Sequence, residues 1–182
     1  VVKVTSENLL LGGCANVLNN VFSMGGKVAV SGVVGSDPMG AWLVDTLREM
    51  HIDTAGVIVE EGRPTSVKTR IIAHNQQVVR FDREDGTSVT RDSLRKIISY
   101  IQSIQDDLGA IIISDYNKGV FSEQLVREIR TITKRKGIIL CIDPKQSDFS
   151  PYRGCDLLTP NRQETERALG REIKTGDDLI QG

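Results

Sequence analysis

Apolar positions along the chain follow two rhythms. Helical spacing places Val17, Val21 and Met24 on one face of residues 15–24, with a Gly25-Gly26 stop behind them. The same spacing aligns Trp42, Leu43 and Leu47 in residues 38–50, and Leu94, Ile97, Ile98 and Ile101 in residues 90–104. Ser122 is placed to cap a helix over 123–136 that Gly137 ends, and a shorter helix over 161–169 ends at Gly170. Another helix begins at Thr175. Between these lie short apolar runs at 1–4, 27–34, 110–114, 138–142 and 156–159, which read as strands of the kind parallel sheets bury. Asp37 followed by Pro38 is a helix start: a capping carboxylate, then a residue that needs no N–H partner.

Residues 54–82 break the alternation. Three β-branched runs (57–59, 66–73 and 78–82) are separated by turn residues at Gly62-Arg63-Pro64 and His74-Asn75-Gln76. This predicts a small antiparallel sheet inserted as a lid into an α/β chain. With few helices near it, one face is covered by a ligand or a second subunit, or stays exposed.

Repeated strand-helix-strand units give an α/β fold, doubly wound, with a mostly parallel sheet, helices on both faces and this β-sheet lid. In such sheets ligands sit at the carboxyl ends of the strands. Three successive strands end in polar groups: Asp115 to Gly119, Asp143-Pro144-Lys145, and Thr159-Pro160-Asn161 with Glu164. They converge on one crevice or form separate solvated loops. Asn161 and Glu164 lie three apart, so a capping box is one reading. Orientation of a Mg²⁺ ion through water beside incoming phosphates is the other, compatible one. Lys118 and Lys145 are either phosphate-side charges or solvated lysines. Gly12-Gly13 before a helix, with Asn16 in its first turn, suits close backbone approach to a ligand or a plain tight turn. His51 and His74 are isolated and take no catalytic role.

Charge and cysteine content narrow the class. Twenty-three Lys and Arg against 24 Asp and Glu leave a net charge of −1 over 182 residues, which argues against nucleic acid or an anionic membrane as the main partner. Cys14, Cys141 and Cys155 make an odd set without a CxxC pair, as expected of reduced thiols in a cytoplasmic protein. Neither a signal-peptide pattern nor an apolar run of bilayer length is visible.

Taken together, Gly12-Gly13 with Asn16, the Gly35-Ser36-Asp37-Pro38-Met39-Gly40 turn, the inserted sheet and Thr159-Pro160-Asn161 with Glu164 resemble the ribokinase-type (pfkB) carbohydrate kinase family. Ser114-Asp115-Tyr116 with Lys118-Gly119-Val120, Arg80-Phe81-Asp82 and Asp143-Pro144-Lys145 are most similar to its heptose 7-phosphate kinases. The resemblance implies a ribokinase-like fold and ATP-dependent, Mg²⁺-assisted phosphorylation of the anomeric hydroxyl of a sugar phosphate, on the route to ADP-heptose and lipopolysaccharide core. It implies a sugar side formed by Gly12, Gly13, Asn16, Asp37, Asp115 and Lys118, with Thr69, Arg80 and Asp82 from the lid. It implies a nucleotide side of Asn161, Arg162, Gln163, Glu164, Asp143 and Lys145, with Glu164 reaching the metal through water. Lids of this kind often pair two subunits, so a homodimer is expected.

Two departures stand beside the resemblance. The family's catalytic base is an Asp in a Gly-Ala-Gly-Asp motif far beyond the Asn-x-x-Glu helix. The late Gly176-Asp177 lacks the preceding Gly-Ala and reads as a helix cap. The family's first strand, with a sugar-binding Asp, should precede Val1. Residues 1–182 are thus expected to form an incomplete kinase domain, with the N-terminal strand and C-terminal catalytic part missing and 54–82 as its lid. The alternatives are a kinase for another sugar or nucleoside, or a non-catalytic dimerisation module.

Overall fold

The computed structural model describes residues 3–180. Helix α1 (Cys14–Ser23) leads to strand β1 (Gly32–Gly35), helix α2 (Pro38–Glu49) and strand β2 (Val57–Glu60). A hairpin of β3 (Val67–Ala73) and β4 (Gln76–Arg83) follows. The chain then alternates through α3 (Arg91–Ile104), β5 (Ala110–Ser114), α4 (Glu123–Lys136), β6 (Ile139–Asp143), β7 (Leu157–Leu158), α5 (Arg162–Leu169) and α6 (Gly176–Ile180).

Caps predicted from local chemistry hold. Asp37 accepts the Gly40 N–H at 2.9 Å, and Ser122 accepts that of Leu125 at 3.2 Å. Gly137 ends α4 in the left-handed region at φ 69°. That helix carries Lys134, Arg135 and Lys136 in its last turn, where cations offset the helix dipole.

All main-body pairing is parallel: β1 with β2, and β5 with β6 with β7. These two sheets are separate in hydrogen bonding but share a core. Ile58 of β2 packs with Leu94, Ile97 and Ile101 of α3, Leu125, Val126, Ile129 and Ile132 of α4, and Leu140 and Ile142 of β6. A smaller cluster joins Leu18 of α1, Val30, Leu47 of α2 and Ile52.

Three expectations change. Val1 and Val2 lie outside the described residues, and Lys3 and Val4 are not strand; Val4 is exposed and no described segment pairs with it. In the expected 27–34 strand, only the last three residues are β. The ladder forms only where β2 supplies a partner, from Gly32↔Val57 to Gly35↔Glu60. By the same pairing, residues 57–60 belong to the parallel body, not to the lid. Their β-branched composition suits either sheet, and the partner decides.

The lid is therefore the β3–β4 hairpin alone. Its register runs from Val67↔Arg83 to Ala73↔Gln76, with an irregularity between Ile71 and Ile72. His74 and Asn75 both adopt left-handed φ, 50° and 59°, as a tight two-residue hairpin turn requires. Residues along β4 are exposed throughout, and Ile72, Val78 and Phe81 leave more than half their surface in solvent.

Candidate active site at the strand ends

The ends of β5, β6 and β7 are drawn together. Asp115, just past β5, donates its N–H to the Asp143 carbonyl at the end of β6 (3.0 Å). Its carboxylate is buried: one oxygen accepts the Asn117 N–H at 2.7 Å, the other the Tyr152 hydroxyl at 2.8 Å. Thr159, just past β7, donates its hydroxyl to Asp143 at 3.4 Å. Tyr152 is the residue that the sequence reading missed. Its hydroxyl accepts the N–H groups of Lys145 (3.2 Å) and Gln146 (3.1 Å) while donating to Asp115. Burial first, with the Asp115 carboxylate beside it, pushes the phenol up to about 12, so it remains a donor at any physiological pH.

Lys145 extends from this loop to α5, placing Nζ 3.1 Å from Glu164 Oε1. The other Glu164 oxygen accepts the Asn161 N–H at 2.9 Å, and Asn161 Oδ1 accepts the Glu164 N–H at 3.0 Å. The capping box is formed, and the lysine is added to it. Burial alone would raise the Glu164 pKa; the Asn161 N–H and the Lys145 ammonium outweigh it and hold the group below the usual carboxylate range. Of the predicted nucleotide-side residues, Asp143, Lys145, Asn161 and Glu164 are brought together. Arg162 is turned along its own helix to Glu166 and the Ile173 carbonyl, and Gln163 is exposed.

At the other edge stands the glycine turn. Gly13 has φ 54° and forms the N-cap of α1 without a side-chain cap. A Cβ built on it would lie 3.7 Å from the Tyr116 ring, so the turn abuts the loop that follows β5. Gly12 has nothing within 4 Å of such a Cβ, and Asn16 is exposed.

The lid joins this loop through charge. Glu84, a second residue missed in the sequence, accepts from Lys118 at 2.5 Å and from Lys68 of β3 at 3.0 Å. Lys68 also pairs with Asp82 at 2.9 Å, and Arg80 grips Asp82 with two bonds of 2.9 and 2.5 Å. The Arg80 guanidinium, then Lys68, holds Asp82 far below the usual carboxylate range. Three cations thus surround two carboxylates at the lid's foot. Thr69 sits mid-hairpin opposite Phe81.

Asp37 stands at the lid's root, with both oxygens engaged. One caps α2; the other accepts the Thr65 N–H at 2.9 Å, while Thr65 Oγ1 accepts the Gly35 N–H at 2.9 Å. Burial would raise Asp37, but the N–H groups of Thr65 and Gly40 outweigh it and hold the carboxyl at about 2. Gly35 and Gly40 are required by space: an added Cβ would meet Arg63 O at 2.1 Å or Gly35 O at 2.3 Å. Glu60 completes the root, accepting from Arg63 (3.0 Å), Ser93 (2.6 Å) and Thr90 (3.0 and 3.1 Å).

Among the described residues no group of three or more His, Cys, Asp or Glu side chains could cage a metal. No helix of the described residues is long and apolar enough to cross a membrane.

Comparison with known proteins identifies the family. The profile of the pfkB family carbohydrate kinases matches residues 1–181. The chain is 40% identical over 179 residues to the bifunctional protein HldE of Geobacter sulfurreducens, covering 98% of this chain and 36% of that protein. It is 41% identical over 180 residues to the bifunctional protein HldE of Helicobacter hepaticus, covering 99% and 37%. The chain therefore spans a little over a third of the length of these curated relatives. In fold it is similar to the tetrameric inhibited form of phosphofructokinase-2 from Escherichia coli, with a TM-score of 0.71 at 19% identity over 98% of this chain and 62% of that one. A possible 1-phosphofructokinase from Thermotoga maritima gives a TM-score of 0.71 at 18% identity, covering 98% and 61%. With the gathered strand ends, the capped α5 and the hairpin lid, the match over nearly every residue places this chain in the pfkB family of carbohydrate kinases.

Proposed function

We propose that these residues form the sugar face and the first nucleotide-side helix of an ATP-dependent kinase for D-glycero-D-manno-heptose 7-phosphate. The product is the 1,7-bisphosphate, a step toward ADP-heptose and lipopolysaccharide core in the cytoplasm. The observation that carries the reading is the Lys145 bridge to Glu164 on the Asn161 capping box, set where the ends of β5, β6 and β7 are bonded together at Asp115, Asp143 and Thr159. About 40% identity to the bifunctional HldE proteins supports the choice of substrate.

On the nucleotide side, Lys145 and the α5 N-terminus offer positive charge to ATP phosphates. A bound Mg²⁺ would neutralise phosphate charge, and Glu164 would meet it through water. On the sugar side, Gly12, Gly13 and Asn16 would take the ring, with Asp37 holding the turn that follows. Lys118, Arg80 and Lys68, with Asp82 among them, form a cationic foot for the lid that suits a substrate already carrying phosphate, while Thr69 lies on the other hairpin face with Phe81. Val79 and Phe81, exposed side by side on one face of the lid, favour pairing of two copies through the hairpin.

Residues 1–182 contain no Gly-Ala-Gly-Asp segment. General-base help contributes roughly 10²–10⁴-fold, so these residues alone should turn over far more slowly than a chain that includes the base. ADP release with heptose 7-phosphate, compared with heptose and with fructose 6-phosphate, tests the substrate. Equal rates for all three would reject it.

A further inference from the structure

Tyr152 does more than fill the core. Its ring is 1% exposed and lies against Phe121 (centroids 5.0 Å apart) and Phe149 (5.9 Å), so packing fixes where the hydroxyl points. That hydroxyl meets three groups from two strand ends: the Asp115 carboxylate and the backbone N–H groups of Lys145 and Gln146. Lys145 in turn holds Glu164. One phenol thereby joins the end of β5, where the glycine turn abuts, to the lysine and glutamate at the start of α5. No other side chain bonds to both Asp115 and the 145–146 backbone among the described residues.

We infer that Tyr152 is a positioning residue that fixes the Lys145 loop against Asp115, so that the sugar side and the nucleotide side of the crevice keep one geometry. The inference rests on the kinase reading for its kinetic consequence but not for the linkage itself. Tyr152→Phe keeps the ring and its aromatic contacts. It removes the acceptor for two half-buried N–H groups and the donor for Asp115, leaving the Lys145 loop free to shift. Misplacement of about an ångström in a phosphate-side group costs up to about a hundredfold in rate.

The test uses the full-length protein that carries these residues, as wild type, Y152F, K145A, the double variant and F149L. Amide hydrogen exchange over residues 145–147 should quicken in Y152F, reporting the loosened loop directly. With heptose 7-phosphate and Mg·ATP, Y152F should lose at least about tenfold in kcat/KM, and the double variant should lose no more than the larger single loss. F149L, which loosens packing but keeps the hydroxyl, should lower the melting temperature and leave kcat/KM within about twofold. Unchanged exchange at 145–147 in Y152F overturns the inference, whatever the enzyme phosphorylates. Losses that multiply in the double variant overturn it, as does Y152F activity within twofold of wild type. Failure of the wild type to phosphorylate the sugar phosphate overturns the kinase reading instead, and the exchange comparison still decides the linkage.

Discussion

Lys145 Nζ lies 3.1 Å from Glu164 Oε1, joining the end of β6 to the first turn of α5. The glutamate side chain is 7% exposed and the lysine side chain 46%, so one partner is fixed and the other is open to a ligand. Glu164 already spends its second oxygen on the Asn161 N–H. On the proposed reading, the carboxylate stays in place when ATP binds and the lysine turns toward its phosphates. Glu164→Gln in the full-length protein should raise the half-saturating Mg²⁺ and ATP concentrations about tenfold, with helix content unchanged. Circular dichroism and a Mg²⁺ titration of initial rate check this.

The same residue links structure to pH. Glu164 titrates lower in the folded chain than in the unfolded one. Its contribution is therefore complete above the unfolded carboxylate pKa and fades as pH falls through the folded value. Glu60 behaves likewise: Ser93, Thr90 and Arg63 outweigh the effect of burial and bring it from 4.5 to about 2. Thermal unfolding should show stability falling between about pH 5 and 2, and Glu60→Gln should flatten part of that slope. A slope identical in the variant would count against Glu60 as a cause.

Much of this was legible in the sequence because it is local. Asp37 with Pro38, Ser122 with Gly137, and Asn161 with Glu164 lie within a turn or a helix of one another, and capping chemistry is written in those residues. The strand 110–114 was legible because an apolar run between two helices has few alternatives. What was not legible is pairing across distance. Residues 57–60 look the same whether they join a lid or a parallel pair, and only β1 beside them decides. Tyr152 meets Asp115 across 37 positions, and Glu84 meets Lys118 across 34; neither spacing carries a signal.

Two glycine substitutions separate fold from ligand binding. Gly35→Ala places a Cβ 2.1 Å from the Arg63 carbonyl and should cost about 1–3 kcal/mol in chemical denaturation. Gly12→Ala meets nothing within 4 Å, so stability should hold while KM for the sugar phosphate rises. A Gly12→Ala variant with unaltered KM would remove Gly12 from the sugar side.

Glu84 ties the lid to the loop after β5 through Lys118 and to β3 through Lys68. These pairs are partly exposed, and each should contribute only about 0.2–1 kcal/mol. Glu84→Gln should thus leave the melting temperature nearly unchanged. Limited proteolysis in the 67–83 hairpin should quicken, and salt should reproduce the effect in the wild type.

The apolar lid face gives a test of assembly. Phe81→Glu together with Val79→Lys puts charge on one exposed face of the hairpin. Light scattering should report a dimer for the full-length wild type and a monomer for the double variant. A wild-type monomer at high concentration would remove the lid as an interface.

The most direct test is a side-by-side ADP-release assay, with heptose 7-phosphate and Mg·ATP, of the full-length protein and of residues 1–182. The full-length protein should turn over the sugar phosphate and prefer it to the unphosphorylated sugar, and residues 1–182 should be slower by about 10² or more. Equal rates from the two chains, or a full-length protein inactive on the sugar phosphate, would contradict the account.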